Sequence, residues 1–523
     1  MILTSDKRES DRRRPAYEGW VVCAAVITTG MAFIDATALN VALPAIQADF
    51  RATGADVLWV INAYALFVAA LLLAGGAIGD RWGQKRVYMC GIALFAVASL
   101  ACGLATSKQM LIAARGFQGI GGAFMIPGSL ALITTTVPPA RRGKAIGIWT
   151  ASSVVTTALG PLLGGWFAHV GWWPGVFFIN LPLAIVALAI LALRAPRDTP
   201  ESSARPIDLW GIAWSVCALA ALSYGLIESA NRGFGNGLLL AALMFGTASL
   251  VLFLVTESRT TASMLPVEVF RDQSLRVACL ATLLFYSGLY GMMLFLSLNL
   301  IQLQKYDELQ AGLALLPIIL SVVALSPWAG KVVDRRGPRA LLIMGPTLAG
   351  VGYAGLALPA ISLSPGNYWV SYLPPLVLIG CAMGVTAVPL TATIMSALPP
   401  NHAGIASALN SGLSRLSNVV GVAVLGCVAL FAFNHMLARQ ALGLPLTESE
   451  RLALAGESAD LGNARPPAGL LPPVQAAVEQ AIASSLLHAF RIVCYVCAGA
   501  SWTVAILVAC ALPTTAMECR PCN

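Results

Sequence analysis

Two short segments of this chain share a pattern: residues 79–86 read GDRWGQKR, and residues 333–339 read VDRRGPR. Each places an aspartate before an arginine and a glycine, and each ends in a basic residue. Each also follows an apolar run long enough for a helix, one over 56–77 and the other over 311–331. A repeat of this kind predicts two related helical halves, an arrangement typical of secondary transporters.

The composition indicates which environment surrounds these helices. Of the 523 residues, 58% are hydrophobic and only 11% are charged, which is too little charge for the surface of a soluble domain. The apolar residues occur in runs of about 20, and a helix of that length crosses roughly 30 Å of hydrocarbon. We therefore predict an all-α integral membrane protein.

The apolar runs predict fourteen transmembrane helices, which are separated by charged clusters or by Gly/Pro breaks. Their approximate limits are 18–41, 56–77, 87–106, 110–131, 145–168, 173–193, 208–228, 237–256, 277–300, 311–331, 340–359, 369–391, 403–431 and 486–511. With both termini in the cytoplasm, 22 basic residues fall on the cytoplasmic side and seven on the outer side. This asymmetry follows the positive-inside rule, and it predicts a multi-pass protein of the cytoplasmic membrane with both termini inside.

The repeated segment divides the predicted helices into two blocks of six, with helices seven and eight as an insert. The predicted regions are a basic tail at 1–17, a six-helix bundle at 18–206, a two-helix insert with its linker at 207–276, a second six-helix bundle at 277–511 and a tail at 512–523. The second bundle contains one long hydrophilic segment, 432–485, which this topology places outside the cell. Either a small extracellular cap or a flexible loop fits that segment.

Several functional classes are disfavoured by the sequence. The net charge of +8 is distributed in short clusters between apolar runs, which suits membrane orientation and not nucleic-acid binding. Ten of the twelve cysteines lie within apolar runs, and the pair Cys519 and Cys522 has no partners for a zinc site. No GxxxxGK[ST] phosphate-binding loop and no catalytic constellation is present. We therefore expect no metal, no cofactor and no enzymatic activity, and an energy source other than ATP bound by this chain.

Asp35 is an acidic residue in the first predicted helix. A carboxylate within the membrane costs at least a few kcal/mol, so it is usually either functional or protonated. A low-dielectric environment favours its neutral form and thereby brings proton binding within physiological reach. Competition between a proton and a cationic substrate for Asp35 would produce antiport; the alternative is a hydrogen bond that serves packing alone.

The chain resembles the major facilitator superfamily, and within it the fourteen-helix drug:proton antiporters of the multidrug efflux type. The motifs that carry the resemblance are residues 35–46 in helix one; Gly76, Asp80, Arg81, Gly83 and Lys85 after helix two; Leu111, Arg115, Gln118 and Gly119 in helix four; Gly147, Gly160, Pro161, Gly164 and Gly165 in helix five; and residues 404–415 in helix thirteen. Gln84 replaces a basic residue of the loop motif, and Thr156 replaces a glycine of the helix-five motif. The likeness covers almost the whole chain except 432–485.

The resemblance implies two six-helix bundles with two inserted helices, and proton-coupled efflux of small amphipathic or cationic drug-like compounds, with antibiotic resistance as a consequence. It implies that Arg115 takes part in proton transfer by setting the state of Asp35; the alternative is a structural tie to backbone carbonyls. Asp80 and Arg81 would form a conformational latch in which Asp80 caps a helix N-terminus or pairs with an arginine, whereas the alternative is a charge that only sets topology. Asp334 and Arg335 are similar to a degenerate second copy.

In the helix-five motif, Gly160, Pro161, Gly164 and Gly165 would supply a kink and a flat packing surface. Glu228 fits either the proton path or the outer interface, and Arg415 fits either a substrate contact or a stabilising role. The candidates for a substrate cavity are Asn40, Tyr64, Gln118, Phe285, Tyr286, Tyr290 and Arg415.

We expect the protein to act as a monomer in the lipid bilayer, with protons and a small molecule as its partners. One alternative is a dedicated exporter of a single endogenous metabolite or self-made antibiotic. Another, from a different class, is a membrane sensor or scaffold that transports nothing.

Overall fold

The computed structural model describes a chain built from helices. The described residues are 3–512 with the exception of 53, 197, 199–208, 233–236, 260–270, 359–367, 448–449, 452–453, 455–465 and 467–470; at 3–16, 226–232 and a few other helix positions only the backbone is described. No strand occurs among these residues. Helices satisfy every backbone group within one segment, which is why they suit apolar runs in lipid.

The first half of the chain forms long helices joined by short connections. They are α1 (Leu3–Phe50), α2 (Gly54–Trp82), α3 (Gln84–Gly103), α4 (Lys108–Thr136), α5 (Pro139–His169), the short α6 (Gly175–Phe178), α7 (Asn180–Arg194), α8 (Leu209–Arg232) and α9 (Gly237–Arg259). Local sequence explains several of these limits. Ser107 caps α4 by accepting a hydrogen bond from the Met110 backbone N–H at 3.2 Å, and Gly83 joins α2 to α3 with a φ of 100°, which an L side chain rarely adopts.

The second half of the chain repeats this pattern. Its elements are α10 (Gln273–Leu298), a π-helical turn (Asn299–Leu303), α11 (Glu308–Ala314), α12 (Leu316–Arg336), α13 (Arg339–Leu356), α14 (Tyr368–Ser371), α15 (Leu373–Ala397), a 3-10 turn (Pro400–His402), α16 (Ala403–Ala441) and α17 (Pro472–Ala511). Asp307 and Gln310 form a reciprocal capping box at the start of α11.

Eleven helical segments within the described residues are long and apolar enough to cross a bilayer. They correspond to eleven of the fourteen predicted spans. The other three, 208–228, 237–256 and 340–359, are covered by α8, α9 and α13, of which α9 contains a shorter apolar segment. The all-α, multi-pass character of the protein is therefore confirmed with about eleven to fourteen apolar helices, and the count of fourteen stays a prediction.

The helices belong to two compact units. Unit 1 comprises Met1–Arg276, Ser326–Gly337 and Thr391–Gly412, and unit 2 comprises Val277–Leu325, Pro338–Leu390 and Leu413–Asn523. These units do not test the domain limits that the sequence repeat predicted, and those limits stay predictions.

Unit 1 has α4 near its centre, because this helix packs against α1, α2 and α3. The most apolar window of α4 is 78% buried, more than that of any other membrane-length segment among the described residues. Two clusters of buried side chains surround it, one around Tyr88 and Phe95 and the other around Phe167 and Phe177. A polar side chain on α4 is consequently held away from the surface of the unit.

Unit 2 contains a large hydrophobic cluster that includes Phe285, Tyr353, Phe433 and Phe490. The hydroxyl of Tyr372, in the same cluster, donates a hydrogen bond of 2.6 Å to Asn299 at the start of the π-helical turn. Burial of an aromatic hydroxyl is tolerated when it has such a partner.

The described parts of segment 432–485 are largely helical. Helix α16 runs on to Ala441 and α17 begins at Pro472, so both helices extend into this polar segment. Their extensions are joined by a hydrogen bond from the Ser484 hydroxyl to the Gln440 side chain at 2.8 Å. Alanine-rich sequence favours helix even where it is polar, which explains the extension of α17.

Candidate functional site

The two charged residues predicted to matter most, Asp35 on α1 and Arg115 on α4, are in direct contact. The Arg115 Nη1 atom donates to Asp35 Oδ2 at 2.5 Å, and the two side chains are only 1% and 0% exposed. Arg115 also donates through Nε to the backbone carbonyl of Val60 on α2 at 3.1 Å. Arg115 thus contacts both the Asp35 carboxylate and a backbone carbonyl, and its part in proton transfer stays a prediction.

Gln118 completes this ion pair from the same face of α4, because residues three apart on a helix are neighbours. Its Nε2 donates to Asp35 Oδ1 at 2.8 Å, and its Oε1 accepts from Arg115 Nη1 at 2.6 Å. Gln118 was predicted from the sequence as a residue of a substrate cavity. In the structure it is fully buried and bridges the carboxylate and the guanidinium.

Two aromatic rings cover the guanidinium of Arg115. The Tyr64 ring on α2 lies 4.5 Å from the guanidinium carbon, and the Phe177 ring on α6 lies 5.8 Å away. Aromatic faces attract cations, and the attraction grows when water is excluded. Tyr64, which the sequence suggested as a cavity residue, therefore lies against the buried cation.

Ser99 on α3 and Asn180 on α7 complete the cluster, and neither was expected from the sequence. Ser99 Oγ accepts from Gln118 Nε2 at 2.7 Å and from Asn180 Nδ2 at 3.3 Å. Asn180 Nδ2 also donates to Asp35 Oδ1 at 3.3 Å. Like Asp35, both are polar residues inside an apolar run. Uncharged polar side chains are common in such runs, however, so the sequence does not single out Ser99 or Asn180.

Together these residues make a buried polar site within unit 1, to which α1, α2, α3, α4, α6 and α7 contribute. Among the described residues, the Asp35 carboxylate accepts hydrogen bonds from Arg115, Gln118 and Asn180. Because the carboxylate and the guanidinium are in contact, neither bears the cost of an unpaired buried charge. Addition of a proton to Asp35 would remove one member of this pair, so the site can change its net charge by one.

Asp80, in the last turn of α2, contacts the start of α16. Its two carboxylate oxygens accept from the backbone N–H groups of Gly404 and Ile405 at 2.7 and 2.9 Å. Gln84, the residue that replaces a basic side chain in the motif, also donates to Asp80. A carboxylate is favourable at a helix N-terminus because free N–H groups and the helix dipole both attract it. A Cβ on Gly76 would overlap the Gly404 carbonyl, so the glycine permits this approach.

Asp334, in the last turn of α12, makes the same kind of contact with α5. It accepts from the backbone N–H groups of Gly143 and Lys144 at 2.7 and 3.0 Å. The second segment of the sequence repeat thus has the geometry of the first, with a carboxylate across two successive N–H groups. Arg81 and Arg335, which follow the two aspartates, are both exposed.

A third aspartate of this type was not anticipated. Asp198, after α7, accepts from the backbone N–H groups of Lys85 and Arg86 in the first turn of α3, both at 3.0 Å. The Lys85 ammonium donates to the Ala195 carbonyl at 2.8 Å. These bonds hold the chain after α7 against the beginning of α3. Asp198 lies in a polar stretch where the sequence offers no period or motif that would single it out.

The helix-five motif brings α5 against α1 next to Asp35. A Cβ on Gly160 would overlap the Thr37 hydroxyl, and one on Gly164 would overlap the Ala38 carbonyl. A Cβ on Gly165, by contrast, would meet only the Val41 side chain, at an ordinary contact distance of 3.7 Å. Pro161 lies inside α5. Close approach of the two helices therefore depends on Gly160 and Gly164 and not on Gly165.

We expect Gly164→Val to destabilise the protein by about 1–3 kcal/mol, the usual cost of overpacking a tight interface. The matched control is Gly165→Val, which makes the same change in helix propensity one residue away. Thermal unfolding of the detergent-solubilised variants checks this, with a lower midpoint for Gly164→Val alone. Equal midpoints for the two variants would contradict the packing argument.

The remaining sequence candidates whose side chains are described do not join the Asp35 cluster. In unit 2, Phe285 is buried in the hydrophobic core, Tyr286 stacks on Tyr290 at 5.8 Å, the Tyr290 hydroxyl lies 3.3 Å from Ser414 Oγ, and Arg415 is half-buried. Asn40 is exposed on α1. Glu228 belongs to α8, and its side chain lies outside the described residues. Over the described residues, no group of three or more His, Cys, Asp or Glu side chains could hold a metal ion.

Comparison with known proteins places this architecture. The family model of the Major Facilitator Superfamily matches residues 25–422. The chain is 34% identical over 409 residues to the "Multidrug resistance protein Stp" of Mycobacterium tuberculosis (strain CDC 1551 / Oshkosh), covering 77% of this chain and 75% of that protein. It is 30% identical over 491 residues to the "Tetracenomycin C resistance and export protein" of Streptomyces glaucescens, covering 93% and 90% of the two chains.

The fold has solved counterparts. The structure of the proton:xylose symporter XylE superposes with a TM-score of 0.58, covering 96% of this chain and 97% of that chain at 13% sequence identity. At this identity the likeness concerns the fold alone. The family match, by contrast, extends over most of the sequence, and it indicates no catalytic function. The chain therefore belongs to the major facilitator superfamily of membrane transporters, as the motifs in its sequence predicted.

Proposed function

We propose that the protein is a proton-coupled efflux transporter that exports small amphipathic or cationic compounds across the cytoplasmic membrane, with both termini in the cytoplasm. The observation that carries this proposal is the buried pair of Asp35 and Arg115, with 2.5 Å between Asp35 Oδ2 and Arg115 Nη1. Ionisable groups inside a membrane protein are costly and usually serve ion or proton movement. Arg115 keeps its charge throughout, so Asp35 is the member of the pair that takes up the proton.

The proposed exchange is a competition at one carboxylate. In the ionised state, Asp35 provides negative charge for a cationic substrate or for Arg115. In the protonated state that charge is absent, and the substrate is released. Because a ligand can shift a conformational equilibrium only through different affinities for the two states, the change of charge at Asp35 supplies the coupling.

The contacts of Asp80 and Asp334 fit a role as conformational latches in this cycle. Each carboxylate holds two backbone N–H groups of a helix that begins far away in the sequence. Such contacts are short and specific, so one conformation can keep them and another can lose them. In the proposed cycle they are made and broken once per round of transport.

Resistance and export proteins among the relatives support efflux in general terms. They also favour a second candidate, a dedicated exporter of one compound, because the relative that covers 93% of this chain is named for tetracenomycin C. The breadth of the substrate range separates the two candidates.

The test is transport into proteoliposomes with an acidic lumen. We expect the protein to accumulate ethidium, a fluorescent monovalent cation, and we expect an uncoupler that collapses the pH gradient to abolish the accumulation. Vesicles with equal pH on both sides are the control. Accumulation that is indifferent to the gradient would exclude proton coupling, and movement of only one chemical group from a panel of unrelated antibiotics would establish the dedicated exporter.

A further inference from the structure

The side chain of Asn180 is bonded on only one side. It is 0% exposed at the first position of α7, and its Nδ2 donates to Asp35 Oδ1 and Ser99 Oγ, both at 3.3 Å. Within the described part of the chain, its Oδ1 has no hydrogen-bond partner. Buried side-chain oxygens nearly always have a partner, so an oxygen without a donor, next to the acidic residue of the site, needs an explanation.

The Asn180 oxygen can bond Asp35 only when Asp35 carries a proton. An ionised carboxylate is purely an acceptor, and the three donors around Asp35 satisfy it. A protonated carboxyl group also donates one hydrogen bond, so it requires an acceptor. The surroundings of Asp35 must therefore offer an acceptor when the carboxyl group is protonated, and this acceptor is unpaired when the carboxylate is ionised.

The two other uncharged side-chain oxygens of the described cluster are already engaged. Gln118 Oε1 accepts from Arg115 at 2.6 Å and faces the Cys102 thiol at 3.8 Å. Ser99 Oγ accepts from both Gln118 and Asn180. The Asn180 oxygen is unoccupied, and the terminal torsion of asparagine is soft. Rotation about that torsion exchanges Nδ2 for Oδ1 and presents the oxygen to Asp35.

We propose that Asn180 is a positioning residue that bonds Asp35 in both protonation states, through its NH2 group when the carboxylate is ionised and through its oxygen when Asp35 is protonated. This inference rests on the proposed function, because it matters only if Asp35 takes up the proton. Without Asn180 the ionised form keeps Arg115 and Gln118, whereas the protonated form loses its acceptor. Asn180 therefore favours proton uptake.

Other titratable groups near Asp35 stay in place when Asn180 is changed. Among the described residues these are Arg115 on α4, Cys102 on α3 and, beyond the guanidinium, Tyr64 on α2. Helix α5 presents Thr156 and Thr157 to α1 at this level, and neither titrates. A change in pH dependence in an Asn180 variant is thus attributable to the amide.

The test compares Asn180→Leu, which keeps the number and branching of the side-chain heavy atoms but has no polar atoms, with Asn180→Ser, which keeps one group that donates and accepts. Ethidium binding to the detergent-solubilised protein should be lost as the pH falls and Asp35 takes up its proton. We expect the midpoint of this loss to move to lower pH by up to about one unit in Asn180→Leu. The ionised form loses one of three donors, whereas the protonated form loses its acceptor, so the protonated form is the more destabilised of the two. In Asn180→Ser we expect most of the shift to be reversed.

A second readout needs no bound ligand. Infrared difference spectra between low and neutral pH report the carbonyl stretch of a protonated carboxyl group. In Asn180→Leu this band should move to higher frequency, because the protonated Asp35 then has no acceptor. A residue that only ties helices together would lower the yield or the amount of binding at every pH and would move neither the midpoint nor the band.

The variant Asp35→Asn separates failure of this inference from failure of the proposed function. If the pH dependence of binding persists in Asp35→Asn, then Asp35 is not the proton site and the proposed function fails. If Asp35→Asn removes the pH dependence while Asn180→Leu keeps the midpoint and the infrared band of the parent, only the role of Asn180 is overturned.

Discussion

Replacement of Asp35 by asparagine is expected to abolish proton-driven accumulation of ethidium in proteoliposomes while the protein stays folded. Asparagine has nearly the same shape and reproduces the neutral, protonated state, which the transport cycle must visit in any case. What it removes is the negative charge and the proton site. We expect a decrease of about 100-fold or more, because a charge-assisted interaction of up to about 3 kcal/mol corresponds to two orders of magnitude.

The matched control for Asp35→Asn is Asp56→Asn. Asp56 also pairs with a cation, Lys108, at 2.5 Å, but the two side chains are 24% and 29% exposed. Ion pairs that reach solvent contribute little, so transport by Asp56→Asn should stay near the parental level. Sustained gradient-driven accumulation by Asp35→Asn, or an equal loss in both variants, would refute the assignment of Asp35 as the coupling residue.

Replacement of Arg115 by methionine is expected to have the second large effect, on stability as well as on transport. Methionine fills much of the space but leaves the Asp35 carboxylate buried without its cation. Breaking a buried pair in this way costs about 3–5 kcal/mol. Protonation of Asp35 removes the unpaired charge, so the variant should regain stability as the pH is lowered, and it should fail to transport at any pH.

Thermal unfolding at several pH values measures this effect. The double variant Asp35→Asn/Arg115→Met should recover part of the lost stability at neutral pH, because it contains no unpaired charge, and it should remain inactive. The control is Arg141→Met, since Arg141 pairs with Glu18 at 3.0 Å but its side chain is 53% exposed. If Arg115→Met unfolds at the parental temperature at neutral pH, the energetic interpretation of the pair is wrong.

The candidate site was only partly predictable from the sequence. Asp35 and Arg115 were identified individually, since a charge inside an apolar run is conspicuous. Their contact was not derivable, because they are 80 positions apart and nothing in either helix fixes the face that it turns to the other. Asn180 and Ser99 were missed for a related reason: an uncharged polar side chain in an apolar helix acquires a role only through its neighbours.

The cavity candidates illustrate the limit of composition. Tyr64 and Phe285 are both aromatic residues in apolar helices, and the sequence does not distinguish them. In the structure, Tyr64 faces the guanidinium of Arg115 at 4.5 Å, whereas Phe285 is buried in the core of unit 2. Aromatic residues fill cores and cover cations with the same chemistry, so packing alone separates the two cases.

The carboxylates that hold helix N-termini show the same division. The sequence repeat singled out Asp80 and Asp334 and suggested a helix cap for Asp80. The structure supplied the partners, of which Gly404 is 324 positions from Asp80, and it added Asp198, which no pattern had indicated. A cap from a residue next to its helix can be predicted from the local sequence. A cap from a distant segment depends on the path of the whole chain.

By itself, the sequence determined that this protein is an all-α, multi-pass member of a transporter superfamily with an acid and an arginine in its helices. It could do so because hydrophobic runs, loop charges and repeated motifs act locally: each is set by the cost of exposing polar backbone or charge to lipid. Only the tertiary structure decided that Asp35, Arg115, Gln118 and Asn180 form one buried cluster. That arrangement arises from the packing of α4 with α1, α2, α3, α6 and α7, and the rotation of each helix about its axis is set by all of its neighbours together.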